Sequence, residues 1–111
     1  MRKIISLNIV ALFLMFSGLV YSQDITILQV NAKWNQHNDM QINSVKGAKI
    51  QYALLEEQSI KFQRAIKSVP AILIYKDQSL VWKKEAGLTL KLNITISELD
   101  SLVRVYKNEQ F

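Results

Sequence analysis

The sequence predicts a small α/β domain in which a mixed four-stranded sheet is flanked by about three helices, in the chain order β-α-β-α-β-β-α. Three patterns support this class. Two short apolar runs, at residues 25–30 and 71–75, are typical of buried strands. Residues 49–56 alternate apolar and polar side chains, as a half-buried strand does. Near the end of the chain, Leu99 and Val103 belong to one face of an amphipathic helical pattern.

Residues 1–22 are predicted to be a signal peptide. Two basic residues follow the initial methionine, residues 4–16 are nearly all apolar, and small side chains precede a cleavage site after Ser22. We therefore expect export to a periplasm or to the outside of the cell, with residues 23–111 forming one domain. Residues 4–20 also approach the shortest length that spans a bilayer, so an uncleaved anchor is the alternative.

Composition argues against several function classes. The formal net charge is +5, but no basic run is longer than Lys83-Lys84, which falls short of the stripe that nucleic-acid binders use to contact several phosphates. No cysteine is present, so core packing must stabilise the domain without disulfides. No glycine-rich phosphate loop and no cluster of metal-ligating residues is visible in the sequence. We predict no nucleic-acid partner, no cofactor and no metal.

The first half of the domain is predicted as strand, helix, strand. The strand at residues 25–30 leads through a polar stretch into a short helix at residues 39–45, with Met40 and Val45 facing inward. Gly47 stops this helix, because glycine readily adopts a left-handed C-cap. The next strand is expected to bury three side chains on one face: Ile50, Tyr52 and Leu54.

The middle of the domain is predicted to contain a short helix that ends before a proline. Ser59 can cap this helix at its N-terminus. Pro70 cannot lie inside it, and the proline pushes Val69 into an extended conformation, so the chain turns into a strand there. The expected apolar face of the helix consists of Ile60, Phe62, Ala65 and Ile66.

The last part of the domain is predicted as a hairpin and a final helix. The strands at residues 71–75 and 80–84 pair across a tight turn, and Gly87 ends the hairpin. Residues 97–100 read Ser-Glu-Leu-Asp, which is typical of a capping box that opens a helix. The buried face of this helix is expected to carry Leu99, Leu102, Val103 and Tyr106.

Three segments together resemble the thioredoxin family. Residues 30–40 read Val-Asn-Ala-Lys-Trp-Asn-Gln-His-Asn-Asp-Met and resemble the family's strand into its Trp-Cys-Gly-Pro-Cys motif. Residues 66–78 read Ile-Lys-Ser-Val-Pro-Ala-Ile-Leu-Ile-Tyr-Lys-Asp-Gln, similar to the cis-proline segment, and residues 85–88 read Glu-Ala-Gly-Leu, like the glycine turn beside the substrate groove. The resemblance implies a thioredoxin fold over residues 25–107, in a minimal version without the family's usual first strand and helix.

The residues that carry the family's dithiol chemistry are absent. Asn35 and Asn38 stand at the two cysteine positions, and Gln29 stands where the resemblance places the family's buried aspartate. Dithiol exchange needs a stabilised thiolate, a resolving thiol and a group that moves protons. We therefore predict a redox-inactive domain that is not an enzyme.

The same resemblance implies a binding groove. In the family, the backbone of the residue before the cis-proline pairs with an extended peptide, and this position is Val69 here. We expect a polypeptide segment or partner protein to bind at this groove, with no membrane contact once the signal peptide is removed. The predicted site consists of Trp34, Asn35, Gln36, His37, Asn38, Val69, Pro70 and Gly87.

Two side chains of this site have a further interpretation. Asn35 is expected to cap the helix that follows it, since asparagine is favoured at N-caps. His37 is the only histidine of the chain, and Asp39 is its only near neighbour with a metal-ligating side chain. A metal site needs more ligands than these two, so none is predicted here.

Two other functions remain open at the level of the sequence. The chain could be a structural or assembly protein that uses an edge of its short sheet or an apolar helix face to dimerise or to dock on a partner. It could also take part in thiol chemistry through a thiol that a substrate or a cofactor such as glutathione supplies. The sequence does not identify the partner or the oligomeric state.

Overall fold

The computed structural model describes residues 24–108, so the predicted signal peptide lies outside the described residues. Within them, four strands alternate with two α-helices and three short 3-10 helices. No helix within residues 24–108 is long and apolar enough to cross a membrane. In chain order the elements are β1 (Ile25–Asn31), a 3-10 helix (Lys33–Asn38), β2 (Lys49–Leu54), a 3-10 helix (Leu55–Glu57), α1 (Ile60–Ala65), β3 (Ala71–Lys76), β4 (Ser79–Glu85), a 3-10 helix (Gly87–Thr89) and α2 (Ile96–Asn108).

The four strands form one mixed sheet in the order β2-β1-β3-β4, which confirms the predicted fold class. β1 runs parallel to β2 and antiparallel to β3, so that Ile27 pairs with Ile50 on one side and with Ile74 on the other. β3 and β4 form the expected antiparallel hairpin, with one irregularity of register between Ile74 and Tyr75. β2 therefore lies on one side of β1, and the hairpin of β3 and β4 lies on the other.

Both faces of the sheet carry a core, because successive side chains of a strand point to opposite faces. Ile25 and Ile27 of β1 belong to one buried cluster, which also contains Leu99 and Val103 of α2. Leu102 and Tyr106 pack against the same cluster, which confirms the predicted buried side of the final helix. We call this side of the sheet the α2 face.

The opposite side, which we call the α1 face, has a smaller helix upon it. Leu28 of β1 belongs to a second buried cluster with Ile66, and Phe62 packs against that cluster. Tyr75 also packs there, and its burial raises the pKa of the Tyr75 phenol. The predicted cap of α1 is confirmed, since the Phe62 backbone N–H donates to the Ser59 hydroxyl over 3.1 Å.

The predicted apolar face of α1 is only half correct. Ile60 and Ala65 are exposed, whereas Phe62 is half-buried and Ile66 is buried. The helix is six residues long, less than two turns, and Ile66 is the residue that follows its end.

The helix predicted at residues 39–45 does not form. The chain coils earlier, in the 3-10 helix Lys33–Asn38, and then crosses to β2 without regular structure. The reason is that side chains bind the backbone groups that a helix would use: Gln29 bonds both the N–H and the carbonyl of Met40, and the Ile42 N–H donates to the Tyr52 hydroxyl. Val45 is nevertheless buried and Met40 half-buried, as expected.

β2 differs from its predicted burial pattern. Ala53 is its buried side chain, while Tyr52 is 37% exposed and Ile50 and Leu54 are only half-buried. Among the described strands, β2 lies at an edge of the sheet, and each face of the sheet carries a buried cluster. Side chains on either face of β2 can therefore be buried. Alternation in the sequence found the strand correctly but not its buried side.

The cap of α2 lies two residues before the predicted one. The Glu98 N–H donates to the Thr95 hydroxyl over 3.1 Å, and the Thr95 N–H donates to the Glu98 carboxylate over 2.8 Å. This reciprocal pair is a capping box. Thr95 therefore takes the position that the sequence analysis gave to Ser97, and the helix starts at Ile96.

Candidate functional site

The candidate site lies at the carboxyl end of β1, where the strand becomes polar. Gln29 and Asn31 follow Ile25 and Ile27 on the α2 face, and both polar side chains are almost completely buried. Buried polar groups must find hydrogen-bond partners inside the protein. The partners of these two side chains determine how the chain continues after β1.

Gln29 fixes the segment that crosses from the first 3-10 helix to β2. Its Nε2 donates to the Met40 carbonyl over 2.7 Å, and its Oε1 accepts from the Met40 N–H over 2.8 Å. An amide suits this arrangement, because one end donates and the other accepts, whereas an ionised carboxylate could only accept. The position that the resemblance assigned to a proton-handling carboxylate thus carries a neutral structural clamp.

Asn31 bonds the start and the end of the first 3-10 helix. Its Nδ2 donates to the Asn35 carbonyl over 2.8 Å and to the Asp39 carboxylate over 2.6 Å. Its Oδ1 accepts from the Ala32 N–H over 2.8 Å and from the Asn35 side chain over 3.1 Å. Both polar atoms of the Asn31 side chain are therefore used within this short helix and its flanking residues.

Asn35 is the centre of this network, and it does not cap a helix as predicted. It lies inside the 3-10 helix with 1% of its surface exposed. Its Nδ2 lies 3.2 Å from the Leu90 carbonyl and 3.4 Å from the Val69 carbonyl, and its Oδ1 accepts from Asn38 over 2.7 Å. Because the Asn35 side chain is buried and does not bond the helix end, it joins three separate segments of the chain. We call Asn31, Asn35 and Asn38 the asparagine network.

The N-terminus of the 3-10 helix Lys33–Asn38 is capped by a side chain from another segment of the chain. Its N-cap residue, Ala32, has no side-chain cap, and the Lys33 N–H donates to the Glu56 carboxylate over 2.9 Å. A carboxylate is favourable at a helix N-terminus, where N–H groups lack partners.

The loop before β3 is tied to the glycine turn. The Ser68 hydroxyl donates to the Gly87 carbonyl over 2.9 Å and accepts from the Gly87 N–H over 2.8 Å. Gly87 has a φ of 80°, in the left-handed region that favours glycine. The Ala86 N–H also donates to the Pro70 carbonyl over 3.1 Å. The peptide bond between Val69 and Pro70 is cis, and both residues are buried.

Two large apolar side chains stand in solvent beside this fixed framework. Trp34 is 65% exposed, and it directly precedes the buried Asn35. Leu88 is fully exposed, and it directly follows Gly87. Asn35 reaches the Leu90 carbonyl, so the two turns that carry these side chains are held together. Gln36 and His37 are exposed on the same 3-10 helix as Trp34.

The eight predicted site residues thus divide into two groups. Asn35, Val69 and Pro70 are buried, and Asn38 is half-buried, so these four form the framework. The exposed members are Trp34, Gln36, His37 and Gly87.

Sequence reasoning missed three contributors to this site. Asn31 was hidden at the end of an apolar strand, although a polar residue in such a run is itself a signal for a buried hydrogen-bond network. Ser68 and Leu88 lie within the segments that resemble the family, but no role was predicted for either side chain. We call the exposed residues Trp34, Gln36, His37, Gly87 and Leu88 the site surface.

A polar cleft of about 550 Å³ opens beside the asparagine network, at the carboxyl ends of β1 and β2. It lies beside the start of the segment at residues 39–48, which contributes Asp39 to its lining. Within residues 24–108, no group of three or more His, Cys, Asp or Glu side chains is placed to hold a metal ion. The cleft is lined by Gln29, Asn31, Lys33, Gln36, Asp39, Tyr52, Ala53, Leu54, Glu56 and Glu57.

Comparison with known proteins bears on the fold. No family model matches the sequence, and no curated protein matches it. Among solved structures, the chain is similar to a mutant thioredoxin from Halobacterium salinarum NRC-1, with a TM-score of 0.61 and 16% sequence identity over 79% of each chain. The chain therefore has a thioredoxin-like fold, and it has it without any cysteine.

Proposed function

We propose that this chain is an exported, non-catalytic thioredoxin-like domain that binds a polypeptide segment through the site surface. The observation that carries the proposal is the exposure of Trp34 and Leu88 on turns that are fixed from below. Large apolar side chains exposed on adjoining turns are typical of protein interaction sites, and tryptophan is enriched among residues that dominate binding energy.

The framework supports this function because it removes the cost of ordering the site. The asparagine network and the Ser68–Gly87 pair hold both turns before any partner arrives. A partner then loses less free energy to ordering than it would with mobile loops. The same buried amides leave no titratable or nucleophilic group at the two asparagine positions, which favours a binding role over a catalytic one.

The Val69 carbonyl indicates that a partner would bind differently from a peptide that pairs as a strand with the backbone before the proline. This carbonyl lies 3.4 Å from the Asn35 amide, so it already has a donor inside the protein. Val69 is also buried, so in this proposal the affinity comes mainly from apolar contact with the exposed Trp34 and Leu88 and less from backbone hydrogen bonds at Val69.

Tryptophan fluorescence tests the proposal, because the chain has only two tryptophans, Trp34 and Trp82. In a Trp82→Phe variant Trp34 is the sole reporter, and in the matched Trp34→Phe variant Trp82 is. On titration with an unfolded polypeptide that lacks tryptophan, we expect the emission of Trp34 to shift to the blue as the ring leaves water, and that of Trp82 to stay constant. An unchanged Trp34 spectrum at millimolar polypeptide, or an equal shift in both variants, would contradict binding at the site surface.

A further inference from the structure

A second groove lies between β4 and the start of α2, and it shares no residue with the site surface or the polar cleft. We call it the Trp82 groove. Its volume is about 400 Å³, which is within the size range of small-molecule sites. β4 contributes Trp82 and Lys84 to its lining, and the rest comes from residues 93–102. A ligand bound here would therefore be independent of a polypeptide at the site surface.

The inner wall of the Trp82 groove is apolar. Trp82, Ile94 and Leu102 line it, and all three are half-buried and pack against the buried cluster of the α2 face. Trp82 is held within the sheet, because it pairs with Ile74 of β3. In the part of the chain that the structure describes, the indole N–H of Trp82 makes no hydrogen bond. The tryptophan thus offers a ligand both an apolar ring and a hydrogen-bond donor.

Polar side chains surround this apolar wall, and most of their hydrogen-bonding groups are unused. Among residues 24–108, the side chains of Lys84, Asn93 and Ser97 have no hydrogen-bond or ion-pair partner. The Oε1 atom of Glu98 accepts from the N–H and the hydroxyl of Thr95, over 2.8 and 3.2 Å, while its Oε2 atom accepts from neither. The groove therefore presents both donors and acceptors, with one positive and one negative side chain in its lining.

We propose that the Trp82 groove binds a neutral sugar residue of a saccharide. A sugar ring has a face of C–H groups, which packs on an apolar wall, and a rim of hydroxyls, each of which can donate and accept. The charges of Lys84 and Glu98 offset each other, so the lining favours neither an anion nor a cation. Asn93, Ser97 and Glu98 are exposed, so a bound sugar stays partly in water and the expected dissociation constant is about 1 mM.

Tryptophan emission measures sugar binding at this groove. In the Trp34→Phe variant of the full chain, Trp82 is the sole reporter, and the probes are maltose, cellobiose and N,N′-diacetylchitobiose. At least one of the three is expected to change the Trp82 emission with a dissociation constant of about 1–10 mM. The curve is expected to be the same at low and high salt, because the ligand is neutral. In the matched Trp82→Phe variant, the emission of Trp34 is expected to stay constant.

A surface substitution tests the polar side of the groove without disturbing the core. Asn93→Ala, combined with Trp34→Phe, removes an exposed side chain that has no partner among the described residues, and it is expected to weaken binding about fivefold. Lys91→Ala is the control, since Lys91 is exposed and does not line the groove.

Three outcomes would overturn the proposal. The first is an unchanged Trp82 emission with all three sugars up to about 50 mM. The second is equal affinity of the Asn93→Ala variant and its parent. The third is an equal response to free leucine or to N-acetylleucine amide, which would show that the groove takes a zwitterion or an apolar side chain rather than a sugar.

Discussion

At the scale of single residues, the most informative feature is that neutral amides occupy the buried positions of the site. Gln29 and Asn35 each have 1% of their surface exposed, and each bonds backbone groups from another segment of the chain. A thioredoxin-like fold can thus hold its loops at this end of the sheet with amides. The hydrogen bonds that these amides make require both a donor and an acceptor in one side chain.

Gln29→Glu tests this requirement through its pH dependence. The introduced carboxyl would face the Met40 carbonyl without a donor once ionised, so burial and the missing hydrogen bond raise its folded-state pKa above the unfolded value of about 4.3. The folded state then binds more protons than the unfolded state above that pH, and stability falls as pH rises. We expect the variant to lose about 2–3 kcal/mol of unfolding free energy at pH 7 and to approach the original chain below about pH 4.

Urea unfolding of the two chains across this pH range measures the difference. Gln36→Glu is the control, since Gln36 is exposed and its replacement should shift stability by less than about 0.5 kcal/mol at every pH. A constant deficit of Gln29→Glu across the whole range would show that the carboxyl finds another partner and that the clamp on Met40 is not the determining contact.

At the scale of elements, predictions from the sequence were most reliable where the apolar pattern and the capping residues indicate the same element. The apolar runs of β1 and β3, the Ser59 cap of α1 and the buried face of α2 were all predictable. The segment at residues 39–48 was not, because its conformation depends on hydrogen bonds from Gln29 and Tyr52, which are distant along the chain. Periodicity describes neighbours within one element and carries no information on such contacts.

The candidate site shows the same division. Motifs predicted the proline loop, the glycine turn and the segment that carries Trp34, but not that this segment forms a 3-10 helix. They did not reveal that Asn35 is buried, since asparagine before a helix is more often a cap than the centre of a network. The sequence therefore predicted a candidate site, but it assigned the wrong role to Asn35.

The start of α2 gives a direct test at this scale, because two residues compete for the capping role. Thr95→Ala removes the hydroxyl that accepts from the Glu98 N–H, and we expect a loss of about 1 kcal/mol in unfolding free energy. Ser97→Ala is the matched variant and should stay within about 0.5 kcal/mol of the original chain. Thermal or urea unfolding measures both, and a larger loss for Ser97→Ala would place the cap where the sequence pattern did.

At the scale of the whole molecule, buried hydrogen bonds join the segments at one end of the sheet. The carboxyl end of β1, the proline loop and the glycine turn are joined by buried hydrogen bonds and present Trp34 and Leu88 to solvent.

The central claim is that the site surface binds a polypeptide, and backbone-amide NMR shift mapping tests it most directly. The labelled chain is titrated with a carboxymethylated, permanently unfolded protein, and the same titration is run on Trp34→Ala/Leu88→Ser and on Val105→Ser, whose Val105 is an exposed apolar residue on α2. We expect shifts concentrated at Trp34, His37 and Gly87 in the original chain and in Val105→Ser, and about tenfold weaker binding in the double variant. Shifts that are absent, or that fall on α2 or β2 and persist in the double variant, would contradict the account.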